Sequence, residues 1–101
     1  MTTLSDYRVE IDAIDAEIVS CFAKRIRVCE KVALFKKDNG ISVMQPERVA
    51  AVLSRTASLA VEAGISPTVL TGIYRLLIEE TCRIEAQIIE DSRVNETVGD
   101  R

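Results

Sequence analysis

Residues 4–40 read LSDYRVEIDAIDAEIVSCFAKRIRVCEKVALFKKDNG and contain no proline, and no glycine before their last position. Their apolar residues recur at steps of three, four or seven, which is the period of one face of an α-helix. Thr3 or Ser5 can cap the start of such a helix, and Asn39 with Gly40 supplies a left-handed residue that ends it. The stretch therefore predicts one long amphipathic helix, whose apolar face carries Leu4, Tyr7, Ile11, Ile14, Ile18, Cys21, Val28, Val32 and Phe35.

Two further helices are predicted after a short loop over residues 40–45. Pro46 suits the first turn of the second helix, where its missing N–H is not needed, and Gly64 ends that helix. Ser66 and Pro67 begin a third helix, whose sequence turns polar from about residue 90. We therefore expect an all-α fold, with one three-helix domain over residues 1–91 and a disordered tail over residues 92–101.

The length of the first helix predicts a dimer. About 35 residues at roughly 1.5 Å each form a rod about 50 Å long, whereas a small domain is about 30 Å across. The other two helices cannot cover the apolar face at both ends of this rod, and an uncovered face of that size is typical of an interface. We therefore expect a two-fold homodimer in which two long helices lie against each other. A single three-helix bundle with a bent first helix is the alternative.

The composition excludes several classes of partner. A net charge of −3 and a pI near 5.0 argue against a nucleic-acid surface, which needs clustered Lys and Arg. The three cysteines form no Cys-x-x-Cys pair, which predicts reduced thiols packed as small hydrophobes in a cytoplasmic protein. We see no basic-then-apolar leader and no apolar run long enough for a membrane span.

A few charged residues fall on the apolar faces of the predicted helices. Arg25 and Lys36 share the inward face of the first helix, because eleven residues at roughly 100° each return to within about 20°. Glu85 extends the inward series of the third helix, and Arg48 lies one turn beyond the loop. Arg8 is about 25 Å from Arg25 along the helix, so it cannot reach the same pocket within one chain, although in an antiparallel dimer it could reach the partner's. Buried charges need partners, and these residues predict either internal salt bridges or a pocket for a small anion.

The residue types that the chain lacks exclude several kinds of catalysis. The chain has no histidine, no glycine-rich phosphate loop, no nucleophilic serine elbow and no spaced set of metal ligands. The pocket suits a small dicarboxylate whose reaction needs orientation and electrostatic support. We expect no metal and no cofactor.

The same residues carry a family resemblance. The chain is similar to the all-helical chorismate mutases over roughly residues 4–90, in Arg8-x-x-Ile11-Asp12-x-Ile14-Asp15, Arg25, Lys36, Pro46-Glu47-Arg48 and Ile73-Tyr74-x-x-x-Ile78-Glu79. The resemblance implies an intertwined homodimer of three-helix protomers. It also implies an isomerase that catalyses the [3,3]-sigmatropic rearrangement of chorismate or a close analogue.

The resemblance also implies roles for individual residues. Arg25 and the partner's Arg8 would clamp the two substrate carboxylates, and Lys36 would bind the ether oxygen and a carboxylate. Arg48 would support the pocket electrostatically, and Thr81 would help to hold the ring carboxylate. The catalytic and substrate-binding residues would then come from all three helices.

Two positions depart from the family pattern. Glu85 stands where the family usually has Gln as a second donor to the ether oxygen, and a carboxyl donates there only when protonated. Val49 stands where mutases commonly carry a Glu that accepts a hydrogen bond from the C4 hydroxyl, which implies a different C4 substituent. The segments 44–46, 48–49 and 82–85 resemble 4-amino-4-deoxychorismate mutases, which adds Gln45 and Val49 to the expected substrate-binding set.

These departures set the order of the expected substrates. The amino analogue is favoured, chorismate comes next, and an isochorismate-pyruvate lyase that forms salicylate and pyruvate is third. A non-catalytic helical dimer or regulatory subunit is the alternative outside the enzymes.

Overall fold

The computed structural model describes the backbone of residues 1–99 and the side chains of residues 1–95. It has three helices, α1 (Leu4–Asp38), α2 (Pro46–Ala63) and α3 (Pro67–Gly99). No strand occurs within residues 1–99, which confirms the predicted all-α class. No helix of this described part is long and apolar enough to cross a membrane.

The helix ends follow the local sequence. Thr3 is the cap of α1: the Asp6 N–H donates to the Thr3 hydroxyl at 3.2 Å, and the Thr3 N–H donates to the Asp6 carboxylate at 2.8 Å. Gly40 and Gly64 have φ angles of 63° and 72°, the left-handed conformation that glycine tolerates best. Pro46 is the first residue of α2. The predicted ends of the first two helices are confirmed, because each depends on the chemistry of neighbouring residues.

The third helix is longer than the sequence predicted. It continues to Gly99, so residues 92–99 are helical where we expected a disordered tail. After Gly72, no glycine or proline interrupts the chain until Gly99, and the Lys37 ammonium donates to the Ser92 hydroxyl at 2.7 Å. The rest of the predicted tail, residues 100 and 101, lies outside the described residues. The division of the chain at residue 91 stays a prediction.

Helix α3 packs against both α1 and α2. It runs in the same direction as α1, since Arg25 contacts Tyr74 and Lys36 contacts Glu85, two pairs that are both 49 positions apart. Among the described residues the buried apolar ones are few, namely Ala33, Val52, Ala60 and Ile78, and only the two alanines are fully buried. Buried beside them are the polar residues Thr56, Thr81 and Glu85.

The amino-terminal half of α1 is uncovered. The helix has 35 residues and α3 has 33, but the offset of 49 positions places the first residue of α3, Pro67, beside Ile18, so α1 extends beyond α3 at its amino-terminal end. Leu4, Ile11 and Ile14 are each more than half exposed on its apolar face. Cys21 on the same face is also exposed, and our expectation that it packs as a small hydrophobe is wrong for the isolated chain. The physical reason is that only the first turn of α3 lies at the level of Cys21, and none of α3 covers the residues of α1 before Ile18.

Candidate active site

A cavity of about 560 Å³ lies between the carboxyl-terminal half of α1, the start of α2 and the middle of α3. Seven of the eight residues that the sequence predicted line it: Arg25, Lys36, Gln45, Arg48, Val49, Thr81 and Glu85. The remaining wall is formed by Val28, Cys29, Val32, Val43, Val52, Ile78 and Cys82. The helices therefore bring residues from positions 25 to 85 to one place.

Lys36 and Glu85 form an ion pair at one end of the cavity. The Lys36 ammonium donates to Glu85 Oε1 and to the Val43 carbonyl, both at 2.9 Å. The two side chains are only 16% and 7% exposed. The sequence left two interpretations open for Glu85, an internal salt bridge or a place in an anion pocket. This contact is a salt bridge, and the partner is Lys36. An ammonium has three N–H groups, so one remains to bind a ligand.

Arg25 lines the cavity and has one unsatisfied hydrogen-bond donor. Its Nη1 is buried and has no hydrogen-bond partner among the described residues. The guanidinium carbon lies 5.8 Å from the centre of the Tyr74 ring, a distance that permits a cation–π interaction. A buried donor without an acceptor costs about 1–3 kcal/mol, which an acceptor from a bound ligand would recover. A carboxylate oxygen is the acceptor that suits a guanidinium best.

The charges around the cavity favour an anion. Arg25, Lys36 and Arg48 face one carboxylate, that of Glu85, although the whole chain carries −3. Arg48 is exposed and lies in the first turn of α2, whose amino terminus adds partial positive charge. Gln45, the N-cap of α2, makes no side-chain capping hydrogen bond. Within the described residues, no cluster of three His, Cys, Asp or Glu side chains is arranged to hold a metal ion.

Much of the remaining lining is apolar. Val49 is half-buried, and Val52 and Ile78 are buried. Thr81 is only 4% exposed, and its hydroxyl donates to the Ile78 carbonyl at 3.0 Å. A ligand carboxylate would therefore have to compete with this bond for the Thr81 hydrogen. A cavity that combines apolar surface with several cations is suited to a small organic anion.

Several lining groups had escaped the sequence analysis. The Val43 carbonyl that holds Lys36 is a backbone atom and has no sequence signal. Tyr74, whose ring contacts Arg25 just outside the lining, was named in the family pattern but was given no role. Cys29 and Cys82 also line the cavity. Burial raises the pKa of the Cys82 thiol, the Glu85 carboxylate raises it further, and the Lys36 ammonium partly offsets them.

Arg8 is the predicted residue that the structure leaves outside the cavity. It is exposed near the start of α1, about 25 Å along the helix from Arg25. No side chain that long exists, so Arg8 cannot complete the site of its own chain. Its place in the cavity of a second copy stays a prediction.

Comparison with known proteins adds independent findings. The family described as chorismate mutase type II matches residues 7–86. A 4-amino-4-deoxychorismate mutase of Streptomyces venezuelae is 34% identical over 98 residues, which cover 97% of this chain and 93% of that protein. A second protein of that name, from Streptomyces pristinaespiralis, is 34% identical over 85% of this chain and 67% of its own length. An isochorismate pyruvate lyase of Pseudomonas aeruginosa is also 34% identical, over 76% of this chain and 75% of its own.

Proposed function

Because this chain belongs to the chorismate mutase type II family and is an isomerase of that kind, we propose that it rearranges 4-amino-4-deoxychorismate to 4-amino-4-deoxyprephenate. Two observations support this substrate. Two relatives that match most of this chain carry the name 4-amino-4-deoxychorismate mutase. Val49 also provides no acceptor for a C4 hydroxyl, and it lines the cavity. Chorismate is the second candidate.

The observation that carries the proposal is that Arg25, which has a buried and unsatisfied Nη1, lines a cavity with an excess of cations. The substrate has two carboxylates and an enol ether. In the rearrangement the ether C–O bond breaks while a C–C bond forms between the side chain and the ring, and the product is an isomer. No proton leaves or enters, so neither a nucleophile nor a base is needed. The protein has to hold the chair-like conformation and stabilise charge on the departing oxygen.

Arg25 would bind one substrate carboxylate through its free N–H groups. The second carboxylate would be bound by the partner's Arg8, with Arg48 adding positive charge at the start of α2. Thr81 would help to hold the ring carboxylate by exchanging its bond to the Ile78 carbonyl for one to the substrate. Gln45 also lines the cavity. These contacts would fix the enol-pyruvyl side chain over the ring, which is the conformation that reacts.

Lys36 would direct its remaining N–H to the ether oxygen. The bonds from Lys36 to Glu85 and to the Val43 carbonyl fix the direction of that N–H. Glu85 would act as the second donor to the ether oxygen in its protonated form. Protonation would also break the ion pair and leave the positive charge of Lys36 for the developing negative charge on the oxygen. The role of Glu85 is therefore a testable part of the proposal.

The proposed particle is an intertwined homodimer. The exposed apolar face over the amino-terminal half of α1 supports this assembly, since monomers rarely leave so continuous an apolar surface in water. In a two-fold arrangement with antiparallel α1 helices, the start of one helix would lie beside the far half of the other. Arg8 would then come close to the partner's cavity, which would gain a fourth cation.

One assay tests the substrate and the reaction together. Purified protein is offered 4-amino-4-deoxychorismate, chorismate and isochorismate in parallel, and the products are identified by mass. We expect an isomer from the amino compound, with a higher kcat/KM than for chorismate. Pyruvate with salicylate from isochorismate would instead identify a lyase, the activity named for the Pseudomonas relative. A higher kcat/KM for chorismate would overturn the proposed substrate and leave the reaction type intact.

A further inference from the structure

Four charged residues form a row along one edge of the exposed apolar face of α1. Glu10, Glu17, Lys24 and Lys31 follow one another at steps of seven, and all four are exposed. The apolar face repeats with the same period of seven, which is the pattern of a coiled coil, and its exposed members are Leu4, Tyr7, Ile11, Ile14, Ile18, Cys21, Val28, Val32 and Phe35. Residues seven apart stay at the same edge of such a face, so these four residues are called the charge row.

The signs of the charge row are ordered along the helix. Its two acidic members lie in the amino-terminal half of α1 and its two basic members lie in the carboxyl-terminal half. Within the described residues, none of the four forms an ion pair with another side chain. The charges beside an apolar helix face are the ones that set partner choice and orientation when two helices pair.

The charge row is complementary to itself in the reverse direction. In an antiparallel pair of helices the same edge of each helix faces the other, so the row meets its own copy in reverse order. Glu10 then faces the partner's Lys31, and Glu17 faces the partner's Lys24. The two-fold axis repeats both pairs, which gives four attractive contacts. Both pairs have the same midpoint, between residues 20 and 21, so one position of the helices satisfies all of them.

The neighbouring arrangements bring like charges together. If the antiparallel helices slide by one step of seven, either Glu17 or Lys24 meets its own copy across the two-fold axis. If the helices are parallel and in register, the charge row faces the other edge of the apolar face, and Glu10 meets the partner's Asp15. Like charges that face each other across an interface are unfavourable and suppress that pairing. Of these arrangements, only the antiparallel one with its midpoint between residues 20 and 21 has no like-charge contact in the row.

We propose that the charge row selects the partner of α1, which is a second copy of this chain in the antiparallel direction, and fixes the position at which the two helices meet. This inference rests on the homodimer of the proposed function and adds the residues that orient it. Exposed ion pairs contribute little stability each, so burial of the apolar face holds the dimer and the row excludes the wrong pairings. The same midpoint brings Arg8 to the level of the partner's Ala33. That level is one turn from the partner's Cys29 and the partner's Lys36, which both line the cavity.

The test mixes two variants whose rows carry a single sign of charge. The all-acidic chain carries Lys24→Glu with Lys31→Glu, and the all-basic chain carries Glu10→Lys with Glu17→Lys. One chain is labelled with a heavy nitrogen isotope, equal amounts are unfolded together in urea and refolded, and native mass spectrometry measures the fraction of each dimer. Chance alone gives one half heterodimer. At low salt we expect about nine-tenths or more, since both homodimers then have only like-charge contacts in the row. Refolding at high salt should move the fraction back towards one half.

A matched pair of control chains separates the charge row from net charge. The acidic control carries Arg27→Glu with Arg55→Glu, and the basic control carries Glu62→Lys with Glu90→Lys. All four positions are exposed and lie outside the row, and the two controls have the same net charges as the two row variants. We expect the controls to mix at about one half heterodimer. If the controls favour the heterodimer as strongly as the row variants do, net charge explains the pairing and the proposal is wrong.

A chain with all four row charges reversed tests the direction of pairing. It should form homodimers as wild type does, because every contact between two reversed chains is again attractive. It should avoid the wild-type chain, because every antiparallel contact between the two is between like charges. Random mixing of reversed and wild-type chains, or a reversed chain that stays monomeric, would overturn the proposal and leave the wild-type homodimer standing. A monomeric wild type would overturn the homodimer as well, whereas the rearrangement is decided separately by the product assay.

Discussion

Replacing Arg25 with alanine removes the donor on which the proposed carboxylate contact depends. Truncation of one partner of a buried, hydrogen-bonded charge pair costs about 2–5 kcal/mol. Since about 1.4 kcal/mol is a factor of ten in rate, this range corresponds to a roughly 30-fold to 5,000-fold loss of kcat/KM. The loss should reach kcat as well as KM if the contact strengthens as the ring and side chain approach each other.

The stability of the folded chain should respond quite differently. In this structure Nη1 of Arg25 is buried without an acceptor, so its removal returns about 1–3 kcal/mol of desolvation cost. The lost interaction with the Tyr74 ring, 5.8 Å away, offsets about 0.5–2 kcal/mol of that gain. The free energy of unfolding should therefore change by between a loss of about 1 kcal/mol and a gain of about 2.5 kcal/mol.

The assay uses whichever of 4-amino-4-deoxychorismate, chorismate and isochorismate the wild-type protein converts best, and it follows formation of the isomer by mass. A urea titration of each variant measures its stability in parallel. Arg27→Ala is the matched control, because Arg27 is an exposed arginine two residues further along α1 that does not line the cavity. We expect the control to keep wild-type kcat/KM. If Arg25→Ala keeps kcat/KM within a few-fold of wild type, or loses it only together with its fold, then the reasoning from the unsatisfied donor is wrong.

Three further predictions concern pH, assembly and backbone conformation. If Glu85 donates to the ether oxygen when protonated, wild-type activity is highest at low pH and falls as pH rises, whereas Glu85→Gln shows no such fall. Matching pH profiles of the two proteins would remove this role. A loss of activity in Glu85→Gln at every pH would leave Glu85 only as the ion-pair partner of Lys36. Native mass spectrometry should give twice the 11.2 kDa of the chain. Ile14→Glu on the exposed apolar face should yield an inactive monomer, whereas Val9→Glu on the opposite face of α1 should leave the dimer and its activity intact. A fully active monomer would contradict an active site that is completed by Arg8 of the partner. Gly64→Ala places a side chain at a φ of 72° with nothing within 4 Å of it. Urea unfolding should therefore show that the free energy of unfolding falls by about 1–2 kcal/mol from backbone strain alone, with kcat/KM unchanged. An unchanged free energy of unfolding would mean that this turn relaxes.

The charged residues show how far the sequence can identify the site. Arg25 and Lys36 were assigned to the cavity because they interrupt an apolar face, and burying a charge is too costly to occur without a reason. Glu85 was found by the same argument, yet its partner was ambiguous, since a helical period does not say which residue of another helix it will meet. The 2.9 Å contact to Lys36 is a consequence of how α1 and α3 are aligned. The Val43 carbonyl was out of reach altogether, because every residue of the loop has one.

The sequence by itself determined the three helices and most of their ends, because capping, the fixed φ of proline and the left-handed freedom of glycine act between neighbours. It also determined that α1 is too long for its own domain, since the rise per residue of a helix is constant. Only the tertiary structure decided the offset of 49 positions between α1 and α3, which places Lys36 on Glu85, Arg25 on Tyr74 and Cys82 in the cavity. Such an alignment results from the packing of side chains that are far apart in the chain, and no local pattern encodes it.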